Sequence, residues 1–429
     1  MLLISKNYWL GMPFNYLGSL PEGVAPEPVY LKAEDMRESA GLFYAATASH
    51  SQSQKVAVLI MHPKVDFARH YCIPPFLGAG ISCLGLNTRC LHNDINAIHE
   101  DLLLDVAAGV RFLKEVKGFE RVILFGNSGG GSLSAFYQAQ AQLPQGERLA
   151  TTPAGDATKL NRAQIIPADG LILVSAHRGE GIVLQEALDP SVVDEQDPKS
   201  TNAALDMYCV NNGFKPAPEP SQYNAEFIQR YRAAQHERVQ RLDAMAHAMV
   251  DEARHHEGLY KQGKDRLSFE ERQHHGRLAA TEPVMVIYRT MANLHYTDPT
   301  LDPSPRSYGS LLSERPDLMN RQYMGFGRLC RPEAWLSTWS SISSKANLEQ
   351  NLAQIRDIPL FFGYATKDKE IYPESDAKPL WDAVQLSDKT YQSYDAEHYF
   401  EPEFGAKAAP DVGRLMADVI PWVLERFGC

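Results

Sequence analysis

Cysteine is scarce and scattered. The six residues, Cys72, Cys83, Cys90, Cys209, Cys330 and Cys429, form no CxxC pair, which argues against a disulfide framework and against a zinc site. Positive charge is not in excess. A formal net charge of −11 disfavours nucleic acid or an anionic membrane surface as the main partner. No apolar run approaches the roughly 20 residues of a membrane span. The first residues, MLLISKNYWLGMPFNYLG, show neither a sustained apolar stretch nor a small-residue cleavage site. Internal repeats and an HExxH pair are lacking as well. The expectation is a cytoplasmic protein acting on a small molecule, with no nucleic-acid or membrane partner.

What is present suits a large packed core. The chain has 429 residues, 44% of them apolar and 22% charged, enough for one large domain with an insertion or for two domains. The first half alternates strand and helix signals. PVYLKAED (28–35) and SAGLFYAAT (39–47) predict early strands, and KVAVLIMHP (55–63) and GISCLGLNTR (80–89) predict strands buried on both faces. Leu102, Val106, Val110 and Leu113 recur at helical spacing. RVILFG (121–126), a helix from about Ser132 and the strand GLILVSA (170–176) follow. Strands separated by helices imply a mostly parallel, doubly covered α/β sheet.

From about 178 to 350 the chain turns polar, then helical. Residues 223–258 carry a charged, helix-favouring run that would span roughly 50 Å at 1.5 Å per residue, so a bend or a projecting arm is expected. The α/β pattern returns with IPLFFGYATKD (358–368), KTYQSYDAEHYF (389–400) and a closing helix over 410–427. The reading is one α/β core, 1–177 and 351–429, interrupted by a helical insertion at 178–350.

One motif carries the chemistry. Gly126-Asn127-Ser128-Gly129-Gly130 fits G-x-S-x-G between a buried strand and a helix, where a sharp turn exposes the serine. The helix start offers unpaired N–H groups to a developing oxyanion. A phosphate cradle needs a lysine after the glycines, and a dinucleotide turn needs glycine where Ser128 stands; both fail. A nucleophilic serine requires a base and an orienting acid. Asp368, in ATKDKEIYP, and His398, in DAEHYFEPE, supply them in the order Ser…Asp…His, each just past a predicted strand. Glu370 and Asp376 compete with Asp368 for the acid's place.

In LIMHP, GNSGGG, IPLFFGYATKDKEIYP and DAEHYFEPE the chain resembles the α/β-hydrolase superfamily over both flanks. The resemblance implies an α/β-hydrolase fold with a helical cap after the sixth strand and a serine hydrolase without a cofactor or metal. It also implies an oxyanion hole made by the N–H of Gly129 and a donor after the strand 55–61. There the chain reads His62-Pro63-Lys64, and proline has no N–H, so that donor is Lys64 or Val65. The family's acid usually follows a glycine by three residues, whereas Asp368 follows Gly363 by five. Asn127 before the serine is similar to the hydrolases that cleave C–C bonds in aromatic ring-cleavage products. A C–C hydrolase or an acyltransferase with the same triad is therefore the alternative within the fold. A catalytically silent, ligand-binding version is the alternative outside it.

Other candidates remain open. Arg89, in GLNTR, faces either a substrate carboxylate or a structural partner. Trp335, Trp339, Tyr323, Phe326 and Tyr288 line a pocket or pack the cap. His236, His247, His255, His256, His274 and His275 read as a solvated helical face rather than a metal site. The long helical stretch is also a candidate surface for a homodimer.

Overall fold

A short antiparallel pair opens the sheet. Strands β1 (Glu27–Lys32) and β2 (Glu38–Tyr44) place Glu27 opposite Phe43 and Lys32 opposite Glu38. The computed structural model describes residues 20–47, 55–263, 266–401 and 410–428. The N-terminal stretch read for a leader, Cys429 and the last two residues of DAEHYFEPE lie outside them.

Apolar runs then build the centre. Strands β3 (Val56–Ile60) and β4 (Ser82–Leu86) are buried at every residue, as a strand covered on both faces must be. Between them lies helix α1 (Ile73–Gly78). Helix α2 (His99–Arg111), extended by a π-helical turn at Phe112–Val116, leads to β5 (Arg121–Asn127). Helix α3 (Gly129–Ala141) leads to β6 (Gly170–Val174). The predicted start at Ser132 is three residues late: the helix begins directly after Ser128, and the glycines form its first turn. The reason is close approach, since a Cβ on Gly126 would lie 2.4 Å from the Gly130 carbonyl oxygen.

An insertion separates β6 from the next strand of this sheet. It holds α4 (Glu180–Ala187), α5 (Ala225–Gln262), α6 (Phe269–Ala279), a ribbon of β7 (Met285–Val286) with β8 (Leu329–Cys330), and the short helices α7 (Pro316–Met319), α8 (Pro332–Ala334) and α9 (Leu348–Leu352). The 38 residues of α5 are unbroken, about 57 Å of helix. Asn224 caps its start by accepting the Phe227 N–H at 2.8 Å. Val239, Leu242 and Val250 pack with Trp335 and Trp339 in a core of the insertion's own. Beyond Val250 no α5 residue is buried, nor is any of α6, so the two form the expected exposed arm.

The core resumes with β9 (Leu360–Ala365), helix α10 (Lys378–Ala383), β10 (Lys389–Tyr394) and α11 (Pro410–Phe427). The eight-stranded sheet runs β1-β2-β4-β3-β5-β6-β9-β10. Only the β1–β2 and β2–β4 pairs are antiparallel. One face buries Leu59, Leu103, Val110 and Phe136; the other buries Val58, Phe76, Phe125 and Trp422. No described helix is long and apolar enough to cross a membrane.

Candidate active site

Five chain segments meet at the C-terminal edge of the parallel strands. Ser128 follows β5 with φ 55° and ψ −127°, a backbone conformation that a non-glycine residue holds only under constraint. Its N–H donates to the Val174 carbonyl (3.1 Å), tying the turn to β6. The Gly129 N–H, in the first turn of α3, has no acceptor among the described residues.

His398 and Asp368 are fully buried and adjacent. His398 Nδ1 lies 2.6 Å from Asp368 Oδ2, while Asp368 Oδ1 accepts the N–H groups of Glu370 (2.8 Å) and Ile371 (3.2 Å). Those bonds fix the carboxylate, and the carboxylate fixes the imidazole. Glu370 and Asp376, the competing acids, make no such bond to His398; Asp376 instead accepts the Tyr372 N–H. Burial alone would lower His398, but the neighbouring Asp368 charge and hydrogen bond outweigh it and raise the imidazole to about 9. His398 Nε2 is buried with no hydrogen-bond partner among the described residues. Such bonds are often open in an unliganded site.

On the β3 side the donor differs from expectation. His62 Nδ1 accepts both the Lys64 N–H (3.1 Å) and the Val65 N–H (3.0 Å). Neither is therefore available as an oxyanion donor, a correction to the expectation from the sequence. A nitrogen that accepts two N–H bonds carries no proton, so the proton of the neutral ring sits on Nε2. Burial pushes His62 well below the usual imidazole range, against the pull of Glu180, and keeps the ring neutral. His62 Nε2 is buried without a partner and lies 3.0 Å from where a Cβ on Gly129 would stand.

A second imidazole repeats the pattern. His177, just past β6, accepts the Gly179 N–H at Nδ1 (3.1 Å), so Nε2–H faces outward, 3.8 Å from Glu180 Oε1. Burial lowers His177 too, so this contact joins a carboxylate to a neutral ring rather than two charges. Burial would raise Glu180, but the Lys64 ammonium above all reverses that and holds the carboxyl at about 2. Lys64 is paired with Asp94 (3.2 Å) and lies 4.0 Å over the Trp339 ring. A Cβ on Gly129 would meet Glu180 Oε1 at 2.5 Å, so any larger residue there would displace the Glu180 carboxylate. His177 and Glu180 escaped the sequence reading because nothing in HRGE marks a site until the insertion folds back over α3.

Ser128 and several of these groups line one cavity of about 380 Å³, a size suited to a small ligand; His398 and Asp368 lie behind its wall. Ser128, His62, Lys64, His177, Glu180 and Glu370 form its polar end, and Val183, Leu312, Met324 and Phe326 give it apolar walls. Burial lifts Glu370 to about 7.

Several candidates take other places. Arg89 is bound by Asp35 and by Asp105 (Nε to Oδ1, 3.0 Å), so it is structural and does not meet substrate. Asn127 is saturated: its Oδ1 accepts from Tyr71 (2.9 Å) and its Nδ2 donates to the Val174 carbonyl (2.9 Å). Trp335 donates to Asp243 (2.7 Å) within the insertion core, and Trp339 is fully buried beneath Lys64; neither they nor Tyr288 lines the cavity. Tyr323 and Phe326 do. His256 and His275 stack on the exposed arm, Nδ1 to Nδ1 at 2.9 Å, and no group of three or more described residues could hold a metal ion.

No protein-family model matches the chain, and no curated protein matches it in sequence. Solved structures align with it at low identity and low TM-score. The DcsB complex with its substrate analogue is 11% identical at a TM-score of 0.48, covering 94% of this chain and 100% of that one. Est1E from Butyrivibrio proteoclasticus is 8% identical at 0.44, covering 94% and 99%. The esterase domain of a Rhodothermus marinus protein is 11% identical at 0.42, covering 94% and 100%. The strand order, the antiparallel start of the sheet, the turn at Ser128 and the helical insertion after β6 together give this chain the α/β-hydrolase fold.

Proposed function

We propose that the protein hydrolyses an ester or related acyl bond of a small, partly apolar molecule through an acyl-enzyme on Ser128. One observation carries the reading. A serine on a constrained turn opens into a cavity at the sheet edge, and a buried imidazole–carboxylate pair, His398 and Asp368 at 2.6 Å, lies next to His62, His177 and Glu370 of its lining. His398 takes the Ser128 proton as the hydroxyl attacks the carbonyl carbon, then returns it to the leaving group; water repeats the sequence on the acyl-enzyme. Asp368 holds the ring in the tautomer that presents Nε2. The developing oxyanion lies between the Gly129 N–H and the His62 Nε2–H, both unpaired donors at the start of α3. Glu180 acts against negative charge at this wall, and the Lys64 ammonium offsets it.

The test is intact-protein mass after exposure to a fluorophosphonate, for the wild type and for Ser128→Ala. One adduct on the wild type and none on the variant supports the reading. Equal labelling of both proteins, or no labelling of the wild type by a probe small enough for the cavity, overturns it.

A further inference from the structure

The cavity that Ser128 lines also has in its wall an arginine without a counter-ion. Arg328, beside β8, lines the cavity and forms no salt bridge among the described residues. Its Nη2 donates to the Met324 carbonyl (2.9 Å) and, at 3.5 Å, to the Asn320 carbonyl. Nε is buried without an acceptor, and Nη1 makes no hydrogen bond among the described residues. Two carbonyl dipoles therefore hold this half-buried guanidinium, and no carboxylate pairs with it among the described residues.

The acids nearby are committed elsewhere. Asp189, the one acid whose field supports the charge on Arg328, accepts from Asn320 Nδ2 (2.8 Å) and lies 3.6 Å from Arg289. Asp94 pairs with Lys64, and Glu180 sits among Lys64 and the imidazoles. Burial and the neighbouring Arg238 lower Arg328 to about 10, which leaves it charged at neutral pH. A lone cation facing a cavity with a nucleophilic serine in its wall defines the far end of the substrate.

We infer that the substrate is an ester whose distal end carries a carboxylate, held by Arg328 while its carbonyl lies at Ser128. The inference rests on the reading of Ser128 as nucleophile and narrows its substrate class. Between the two ends Leu312, Met324 and Phe326 provide apolar walls, so the linking segment is a short hydrocarbon chain or ring. A guanidinium matches a carboxylate in geometry and charge. A doubly charged phosphate would leave one charge unmatched in a cavity that already contains Glu180 and Glu370.

The experiment compares p-nitrophenyl hydrogen adipate, p-nitrophenyl hexanoate and a phosphate-ended ester of equal length, on wild type, Arg328→Met and Arg328→Lys. The quantity read is the ratio of kcat/KM for the carboxylate-ended ester to that for the neutral one. Wild type should favour the carboxylate. Arg328→Met should lower the ratio about 10- to 100-fold, as expected for a charged hydrogen bond, and Arg328→Lys should restore part of it. An unchanged ratio in Arg328→Met overturns the inference, as does a wild-type preference for the phosphate-ended or the neutral ester. If no ester turns over and the fluorophosphonate leaves Ser128 unlabelled, the nucleophile reading has failed instead. Calorimetry of adipate with Ser128→Ala then decides the question: binding that disappears on adding Arg328→Met supports the inference, and binding that persists, or is absent from the start, overturns it. Melting midpoints identify a variant that has not folded, and Arg328→Lys then carries the comparison.

Discussion

At the scale of single residues, His62 shows how a local bond redirects a functional expectation. The sequence offers its neighbours' N–H groups, and the side chain claims both of them at 3.1 and 3.0 Å. The signal was within reach, because the side chain lies only two and three residues away from those donors. Replacing His62 with Ala frees both N–H groups but removes Nε2–H from the wall beside Gly129. The expected result in steady-state kinetics is a fall in kcat of about 10²- to 10³-fold, with KM changed far less. A KM effect without a kcat effect would assign His62 to ground-state binding. The His398–Asp368 pair yields a second expectation. Because Asp368 raises His398 to about 9, kcat/KM should climb with pH along a limb well above the ordinary imidazole value near 6.5. Asp368→Asn should move that limb downward, since only Glu370 and Glu401 then act against burial. The sign for stability is the reverse: the pair's contribution is complete below about 6.5 and is lost as pH rises through about 9. The constrained turn at Ser128 and the pairing of Asp368 with His398 were legible because motif, strand ends and chain order converge on them. Arg328 was not, since an arginine reveals its lack of a partner only when every acid around it has been placed.

At the scale of elements, strands read more clearly than their ends. The uninterrupted VAVLI and GLILV runs are buried at every residue, whereas α3 begins three residues earlier than its apolar pattern indicates. Glycine's low helix propensity hid that first turn; tight packing under Gly126 favours it. Helix α5 was legible as long and charged, but not the part it buries. Arg238 lies on it fully buried, bidentate to Glu195 (Nε 2.9 Å, Nη2 2.7 Å) and donating to the carbonyls of Asp189 and Tyr288. Arg238→Ala leaves the carboxylate of Glu195 with the half-exposed Arg241 alone and should cost about 3 kcal/mol in chemical denaturation. Burial would raise Glu195, but Arg238 and Arg241 lower it, so this pairing stabilises above the ordinary carboxyl range and fades as pH falls through the depressed value. On the exposed arm the stakes are smaller. Ser268 and Glu271 form a capping box at the start of α6, and Ser268→Ala should loosen that helix by about 1 kcal/mol, seen as faster amide exchange confined to the arm.

At the scale of the whole molecule, the insertion and the sheet are joined by buried polar bonds. The Ser337 hydroxyl donates to Glu100 (2.6 Å) and accepts the His99 N–H (2.9 Å), and the His99 ring meets Thr338 at 2.9 Å. These bonds fasten the Trp335–Trp339 turn to the start of α2. Ser337→Ala leaves two buried groups unpaired, so the melting midpoint should drop by an amount equivalent to about 1–3 kcal/mol. Calorimetry should give one transition for core and insertion together, and two separate transitions would contradict so close a union. The division of the chain was legible in composition alone; the docking was not, because it depends on contacts more than 200 residues apart in sequence.

His177 and Glu180 stand at the threshold of the insertion yet form part of the wall against Gly129. A chimera that exchanged everything between β6 and β9 for the cap of another enzyme would thus remove more than a roof. It would carry away the imidazole and the carboxylate that set the electrostatics around Ser128, leaving Lys64 facing a wall of altered charge. In this molecule, recombining caps would rewrite the chemistry together with the choice of substrate.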